Sequence, residues 1–297
     1  MKKMLFLLNP CAGMRKANRS LAQILTVFNR AGYEVVTYIT AGQADGAQKV
    51  RQMAGCVDLV VCAGGDGTFN ETITGLLDSG VDIPVGYIPC GSSNDFAASL
   101  LLSLNVVQAA QEIVEGRPVS YDVGKFNGHY FSYVASFGAF TKASYATPQS
   151  IKNILGHTAY ILEGIQELSQ IRATHVRAVL PDHTVEGDFI FGAVCNATCV
   201  GGLLSLDPNR VDLADGKLEL LLVRAPKDLM ELHGCIIALQ KHRYDSPMLT
   251  FASAERMEIY ADPDMPWTLD GEREPGHSVI VIENLHHAIR LMQKEKT

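Results

Sequence analysis

The sequence predicts an α/β N-terminal domain, a parallel sheet with helices on both faces, followed by a mainly antiparallel β C-terminal domain. Three observations carry this. The chain has 297 residues, about twice the usual single-domain size, so each half can bury its own core. Up to about residue 120, short apolar runs alternate with segments whose apolar residues recur at helical spacing, the pattern of a parallel sheet covered by helices. After Pro118 the texture changes to strands.

Taken in order, Met4 to Leu8 reads as a first buried strand, and Leu21, Ile24, Leu25 and Phe28 mark an amphipathic helix stopped by Gly32. Tyr33 to Ile39 is β-branched and strand-like; Ala47, Val50 and Ala54 mark a helix ending at Gly55; Val57 to Cys62 is a continuous apolar run. Phe69, Ile73, Leu76 and Leu77 follow at helix spacing, then a strand at Val85 to Ile88 and a helix carrying Val106, Ala109, Ala110 and Ile113 before Gly116. Tyr121 to Phe126, Asn127-Gly128 and His129 to Ser136 form a hairpin signal, because Asn-Gly accepts the positive φ angles of a tight turn. Further strands are expected at His175 to Leu180, Phe189 to Thr198, Lys217 to Arg224, Glu255 to Tyr260 and Ser278 to Glu283, interrupted by one helix with Ile161, Ile165 and Leu168 on a face. The expected domains are 1–123 and 124–284, with residues 285–297 able to pack back onto the first.

Composition excludes several classes. Hydrophobic residues at 47% leave no globally disordered chain. A formal charge of −7, with no run of five like charges, argues against a nucleic-acid partner. Seven cysteines, with no Cys-x-x-Cys pair, read as a reduced intracellular protein. Nothing approaches the eighteen or so apolar residues of a transmembrane span, and the N-terminal apolar run stops too early, at Asn9-Pro10, for a signal peptide.

Gly64-Gly65-Asp66-Gly67-Thr68 lies between a predicted strand and a predicted helix. Glycines admit close backbone approach, and a helix start offers unpaired N–H groups to phosphate. Asp66 makes sense in such a loop if it reaches a magnesium ion that also binds the phosphates; an ordinary Gly-Asp-Gly turn with Thr68 capping a helix is the plain alternative. Pro89-Cys90-Gly91-Ser92-Ser93-Asn94-Asp95 follows the next strand, where Ser92, Ser93 and the Asn94 amide offer donors. Two such turns at the carboxyl ends of parallel strands favour a nucleotide. His286-His287 and His175 have no partners at zinc spacing and read as surface or satisfied core histidines, and Cys195-x-x-x-Cys199 reads as packing. Residues 124–177 carry a local excess of Lys and Arg that could meet anionic lipid, although a solvated mixed face also explains it.

The chain resembles the diacylglycerol kinase catalytic-domain family, which includes bacterial lipid kinases and sphingosine kinases. The likeness rests on Asn9-Pro10 with Gly13, on Thr40, on Gly64 to Glu71, on Pro89 to Ala97 and on Asp270-Gly271-Glu272. It implies that Asn9, Thr40, Gly65, Asp66, Gly67, Thr68, Phe69, Asn70, Glu71 and Ser92 line an ATP site. It departs from the family in Ala12, which stands where a serine is common, and in Ser92, which stands where threonine is common. The resemblance further implies that Asp270 and Glu272 jointly supply the base and metal contacts at a cleft between domains. Asp66, Asp122 and Asp270 would surround a catalytic Mg2+ through water. The Asp215 side chain, with the carbonyls of Asp212 and Lys217, would hold a structural Mg2+; read alone, Asp215-Gly216 is an ordinary turn.

The function expected is transfer of the ATP γ-phosphoryl group to a lipid hydroxyl, most simply diacylglycerol giving phosphatidic acid, in phospholipid biosynthesis. Alternatives are a kinase for phosphatidylglycerol, a sphingoid base or polyprenol, an NAD-kinase-like enzyme, and a noncatalytic nucleotide or lipid binder. The expected cofactors are ATP and Mg2+. The expected location is cytoplasmic and peripheral at the membrane surface, where the lipid substrate lies; a homodimer is compatible with it.

Overall fold

In a computed structural model, residues 1–138, 173–200 and 204–295 are described. The helix expected around Ile161, and most of the basic excess of residues 124–177, lie outside them. The chain divides into two units, Met1–Val123 with His286–Thr297, and Gly124–Leu285.

In the first unit four parallel strands run in the order β4-β3-β1-β2: β1 is Lys2–Leu8, β2 is Tyr33–Ile39, β3 is Leu59–Gly64 and β4 is Val85–Pro89. The register places Leu8 beside Ile39 and Ala63, and Gly64 beside Pro89, so the carboxyl ends of the strands are level. Met4 to Leu8 are all buried, as a central strand covered on both faces requires. Alternate residues point to opposite faces. Met4, Phe6, Leu8, Val61 and Ile88 pack with Ile24 and Phe28 of the helix Leu21–Arg30, and with Ala109, Ala110 and Ile113 of the helix Val106–Glu115. Tyr87, one residue from Ile88, stacks instead on Phe69 of the helix Asp66–Ser79, ring centroids 4.7 Å apart. Helices Asp66–Ser79 and Asp45–Met53 pack closely at Gly75, where a Cβ would stand 2.4 Å from the Ala47 carbonyl oxygen.

The second unit is antiparallel. Phe126 pairs with His129 and Gly124 with Phe131 around Asn127 (φ 45°) and Gly128 (φ 104°), the tight turn expected of Asn-Gly. Strands then neighbour one another in the order Glu272–Glu274, Trp267–Leu269, Val134–Gly138, Thr184–Cys195, Thr174–Val179, Arg256–Tyr260 and the first part of Val279–Gln293. Leu218–Arg224 joins Thr184–Cys195 to Leu249–Ala254. Trp267 anchors the core between Phe126 and Phe137, at centroid distances of 5.1 and 4.8 Å.

Several expectations are revised. The hairpin arm expected over His129 to Ser136 is two strands, His129–Phe131 and Val134–Gly138, because the N–H groups of Ser132, Tyr133 and Val134 turn to the Asp270 carboxylate. The strand expected over Ser278 to Glu283 runs on to Gln293. The helix Leu229–Gln240 and the strands Leu249–Ala254, Trp267–Leu269 and Glu272–Glu274 are additions.

Candidate active site

Three loops leave the carboxyl ends of β1, β3 and β4 and clasp one another. Asn9 Nδ2 donates to Thr68 Oγ1 at 2.9 Å while Asn9 Oδ1 accepts from Cys11 N at 3.0 Å, which fixes the orientation of the amide. Gly13 (φ 50°) lies so near the Cys90 carbonyl that a Cβ would be 1.6 Å from its oxygen. A Cβ on Gly91 would be 2.5 Å from Gly65 Cα. Only glycines allow these backbones to close on each other.

Asp66 opens the helix Asp66–Ser79 and is 8% exposed. Its Oδ2 accepts from Asp95 N at 3.1 Å, and its Oδ1 lies 3.5 Å from the Tyr87 hydroxyl. The carboxylate of the first glycine loop is thus steadied by the loop after β4. The first helical turn beside it carries N–H groups without intrahelical acceptors, so a helix start suited to an anion and a carboxylate oxygen suited to a hard cation coincide.

The other nucleotide-site candidates divide by surroundings. Ser92 is exposed, and Gly67, Thr68 and Asn70 are half-buried along the same helix start. Phe69 turns its side chain to the core: it is fully buried, stacked between Tyr87 and Phe96. Asn94, expected to offer its amide to phosphate, closes its own loop instead, accepting from Gly91 N at 2.7 Å and donating to Gly91 O at 3.0 Å. Glu71 accepts from Ala44 N at 2.7 Å and Gly46 N at 3.2 Å, fastening the loop that follows Thr40 to the helix Asp66–Ser79. Thr40 itself extends β2, its N–H bonding Leu8 O at 3.0 Å.

Asp122, on the strand Arg117–Phe126, is fully buried. Its Oδ1 accepts from His287 N at 2.8 Å and lies 3.1 Å from His286 Nδ1. In sequence these histidines read as surface or satisfied core residues. They enter because His287 takes φ 52°, breaking the alternation that would send adjacent strand residues to opposite faces.

In the second unit Asp270 and Gly271, with φ 49° and 84°, form the two-residue turn between Trp267–Leu269 and Glu272–Glu274. This is a hairpin turn, but Asp270 is 5% exposed rather than solvated. One oxygen accepts from Ser132 N and Oγ at 2.6 and 2.7 Å, the other from Tyr133 N and Val134 N at 3.0 and 3.1 Å. Burial pushes the Asp270 carboxyl above the ordinary carboxylate range, and those four donors oppose the rise. Glu272, two residues on, is exposed.

In the Asp212–Lys217 loop, Asp212 Oδ1 accepts from Ala214 N at 3.0 Å and Asp215 Oδ1 from Lys217 N at 2.9 Å, both turn-forming contacts. The Lys217 carbonyl accepts from Asn284 Nδ2 at 2.8 Å. Sequence reading missed Glu219, which is 1% exposed and leaves Oε2 without a hydrogen-bond partner. Burial first, then the Asp215 charge, pushes its carboxyl up to about 8. A buried, orphaned carboxylate oxygen beside two further carboxylates is a donor set suited to a hard cation.

Among the described residues no helix is long and apolar enough to cross a membrane. The family model for the diacylglycerol kinase catalytic domain matches residues 3–126. A diacylglycerol kinase of Bacillus subtilis (strain 168) is 31% identical over 301 residues, covering 100% of this chain and 98% of that protein. A diacylglycerol kinase of Staphylococcus epidermidis is 32% identical over 273 residues, covering 91% of this chain and 86% of its own. A crystal structure from Bacillus anthracis str. Sterne, provisionally assigned to the same enzyme, superposes with a TM-score of 0.81 at 25% identity, over 99% of this chain and 95% of that one. Glycine loops clasped at the ends of parallel strands, an antiparallel second unit and end-to-end similarity to these relatives agree, and the chain belongs to the diacylglycerol kinase family of lipid kinases.

Proposed function

We propose that the protein transfers the γ-phosphoryl group of ATP to the free hydroxyl of diacylglycerol, giving phosphatidic acid at a membrane surface. The observation that carries this reading is the Asp66 carboxylate, held by Asp95 N–H at the start of a helix within clasped glycine loops. Phosphoryl transfer needs chiefly positioning and charge neutralisation, and these loops offer both. Backbone N–H groups of Gly67 and Thr68 bind phosphate oxygens. Thr68 Oγ1 already accepts from Asn9, so its own proton is directed to a ligand oxygen. Ser92 adds a second hydroxyl from the facing loop.

Mg2+ supplies neutralisation of phosphate charge when bound, and the carboxylates of Asp66 and Asp122 would hold it through water. Asp215, the carbonyls of Asp212 and Lys217, and the orphaned Glu219 oxygen fit a second, structural ion. Asp270, expected to share the catalytic work, is reassigned: with four donors on its carboxylate it positions the turn. Glu272 accepts the hydroxyl proton as the lipid oxygen bonds to phosphorus and the bond to the departing ADP breaks.

A panel of acceptors in mixed micelles with labelled ATP and Mg2+ tests the reading. Diacylglycerol should exceed phosphatidylglycerol, a sphingoid base and polyprenol by at least about tenfold in kcat/KM, and NAD should be inert. Preference for another acceptor overturns the substrate; turnover of none overturns the activity.

A further inference from the structure

Among the described residues, Asp122, His286 and His287 bring one ligating atom each to within 4.8 Å of one another. We infer that these three side chains form a binding site for a borderline divalent transition-metal ion of the Zn2+ class, which takes Asp122 as a direct ligand through the Oδ1 that both histidines meet and shares that carboxylate with the water-mediated Mg2+ site proposed above.

The geometry is specific. Consecutive residues of a strand ordinarily face opposite ways, yet the His286 and His287 rings stack at 3.7 Å between centroids and 26° between planes. The cause is His287, at φ 52° within the strand Val279–Gln293. A non-glycine residue there costs on the order of 1 kcal/mol or more and persists where surroundings hold it. His287 N donating to Asp122 Oδ1 at 2.8 Å is one such hold.

The donor set then decides the ion. Two imidazoles and a carboxylate suit Zn2+, Co2+ or Ni2+, whereas Mg2+ prefers oxygen and retains its water. Metal–ligand bonds of about 2.0–2.1 Å place tetrahedral donors roughly 3.4 Å apart, so the three groups must draw together slightly. Both histidines are exposed and can turn about χ1 and χ2, while Asp122 is fixed and buried. The exposed side leaves room for water as a fourth ligand. Plain pairing of a protonated His286 with Asp122 is the competing account; it needs no His287 ring and gives no metal affinity.

The test uses the full-length, metal-stripped protein with millimolar Mg2+ present throughout to fill oxygen-ligand sites. His175, placed 3.0 Å from Asp188 and 3.2 Å from Glu186 in the second unit, is a second histidine-carboxylate cluster, so His175→Ala serves as control. Zn2+ calorimetry and the visible absorption of added Co2+ are read together, with circular dichroism confirming the fold. One equivalent should bind wild type and His175→Ala alike, His286→Ala and His287→Ala should each weaken binding at least about tenfold, and the double variant should lose the Co2+ band. Absence of binding to wild type, or unchanged binding to the double variant, overturns the site. Loss on His175→Ala alone places the metal in the second unit and overturns it equally.

Discussion

The backbone N–H of Asp95 donates to Asp66 Oδ2 at 3.1 Å, so the loop after β4 holds the carboxylate of the loop after β3. Asp95 is itself the first residue of a short helix, Asp95–Ser99, entered through Asn94 at φ 57°. Two helix starts therefore converge on one carboxylate, and the similar glycine-rich turns of the two loops have unlike jobs. The first carries the buried carboxylate; the second holds it in place while leaving Ser92 exposed.

Asp66→Asn should cut phosphoryl transfer on the order of 100-fold or more, since the negative charge proposed to hold Mg2+ against the phosphates is removed. Asparagine keeps an oxygen for Asp95 N–H, so stability should stay within about 1 kcal/mol of wild type. A thermal melt beside a micelle kinase assay reads both. Full activity in the variant would detach Asp66 from the chemistry.

Asp270 and Glu272 should separate cleanly. Glu272→Gln should lower kcat by about 10²- to 10⁴-fold with ATP affinity and melting temperature nearly unchanged, as loss of a general base does. Asp270→Ala leaves the Ser132, Tyr133 and Val134 donors without their acceptor and should cost about 3 kcal/mol or more. Calorimetry with ATP, steady-state assays and denaturant unfolding distinguish the two. A stable Asp270→Ala protein would show that the bracket supports nothing.

The first unit's main strands and helices were legible because most have a clean period and a glycine or proline stop, whereas the short helices Lys16–Arg19 and Asp95–Ser99 have too few residues to show one. Ile24 and Phe28, or Ala109 and Ile113, mark one helical face, and those residues are buried as expected. The helix Leu229–Gln240 was not, since Leu229, Met230, Leu232, Cys235, Ile236, Ile237 and Leu239 spread around it and leave no single stripe. In the site, the glycine-loop motif marked Asp66 and the family resemblance marked Glu272, but which neighbours an amide meets is a tertiary fact. Asn94 looks like a phosphate donor in sequence and spends its amide on Gly91; Phe69 sits inside the motif and faces the core. The His286–His287 pair was hidden because one positive φ angle, invisible in composition, sets both rings on one side.

Gly91→Ala should damage nucleotide binding through backbone alone. The new Cβ would be 2.5 Å from Gly65 Cα and 2.9 Å from Asn94 Oδ1; the first is backbone, and the second is held by the two Asn94–Gly91 hydrogen bonds. Separating the loops by about 1 Å should cost on the order of 100-fold in kcat/KM, with about 1–3 kcal/mol of stability. Gly42→Ala, where nothing lies within 4 Å, should leave kinetics unchanged. Equal effects from both substitutions would show that the close approach of Gly91 to Gly65 does not hold the loops together.

Glu219 is pushed from an ordinary value of 4.5 up to about 8, first by burial and then by the Asp215 charge. Between those values the folded chain keeps a proton that the unfolded chain has released. Its contribution to stability is therefore full below about pH 4.5, shrinks as pH rises, and is gone above about pH 8. In chelator, the apparent melting temperature of wild type should fall between pH 5 and pH 8.5 by about 5 °C more than that of Glu219→Gln, which stays neutral throughout. Added Mg2+ should shrink the difference if an ion at Asp215 stabilises the ionised Glu219, because that ion favours the form that burial disfavours. Parallel pH profiles for the two proteins in chelator would show that Glu219 titrates as an ordinary carboxylate, and an unshrunken difference in Mg2+ would leave the Asp212–Lys217 loop as a turn.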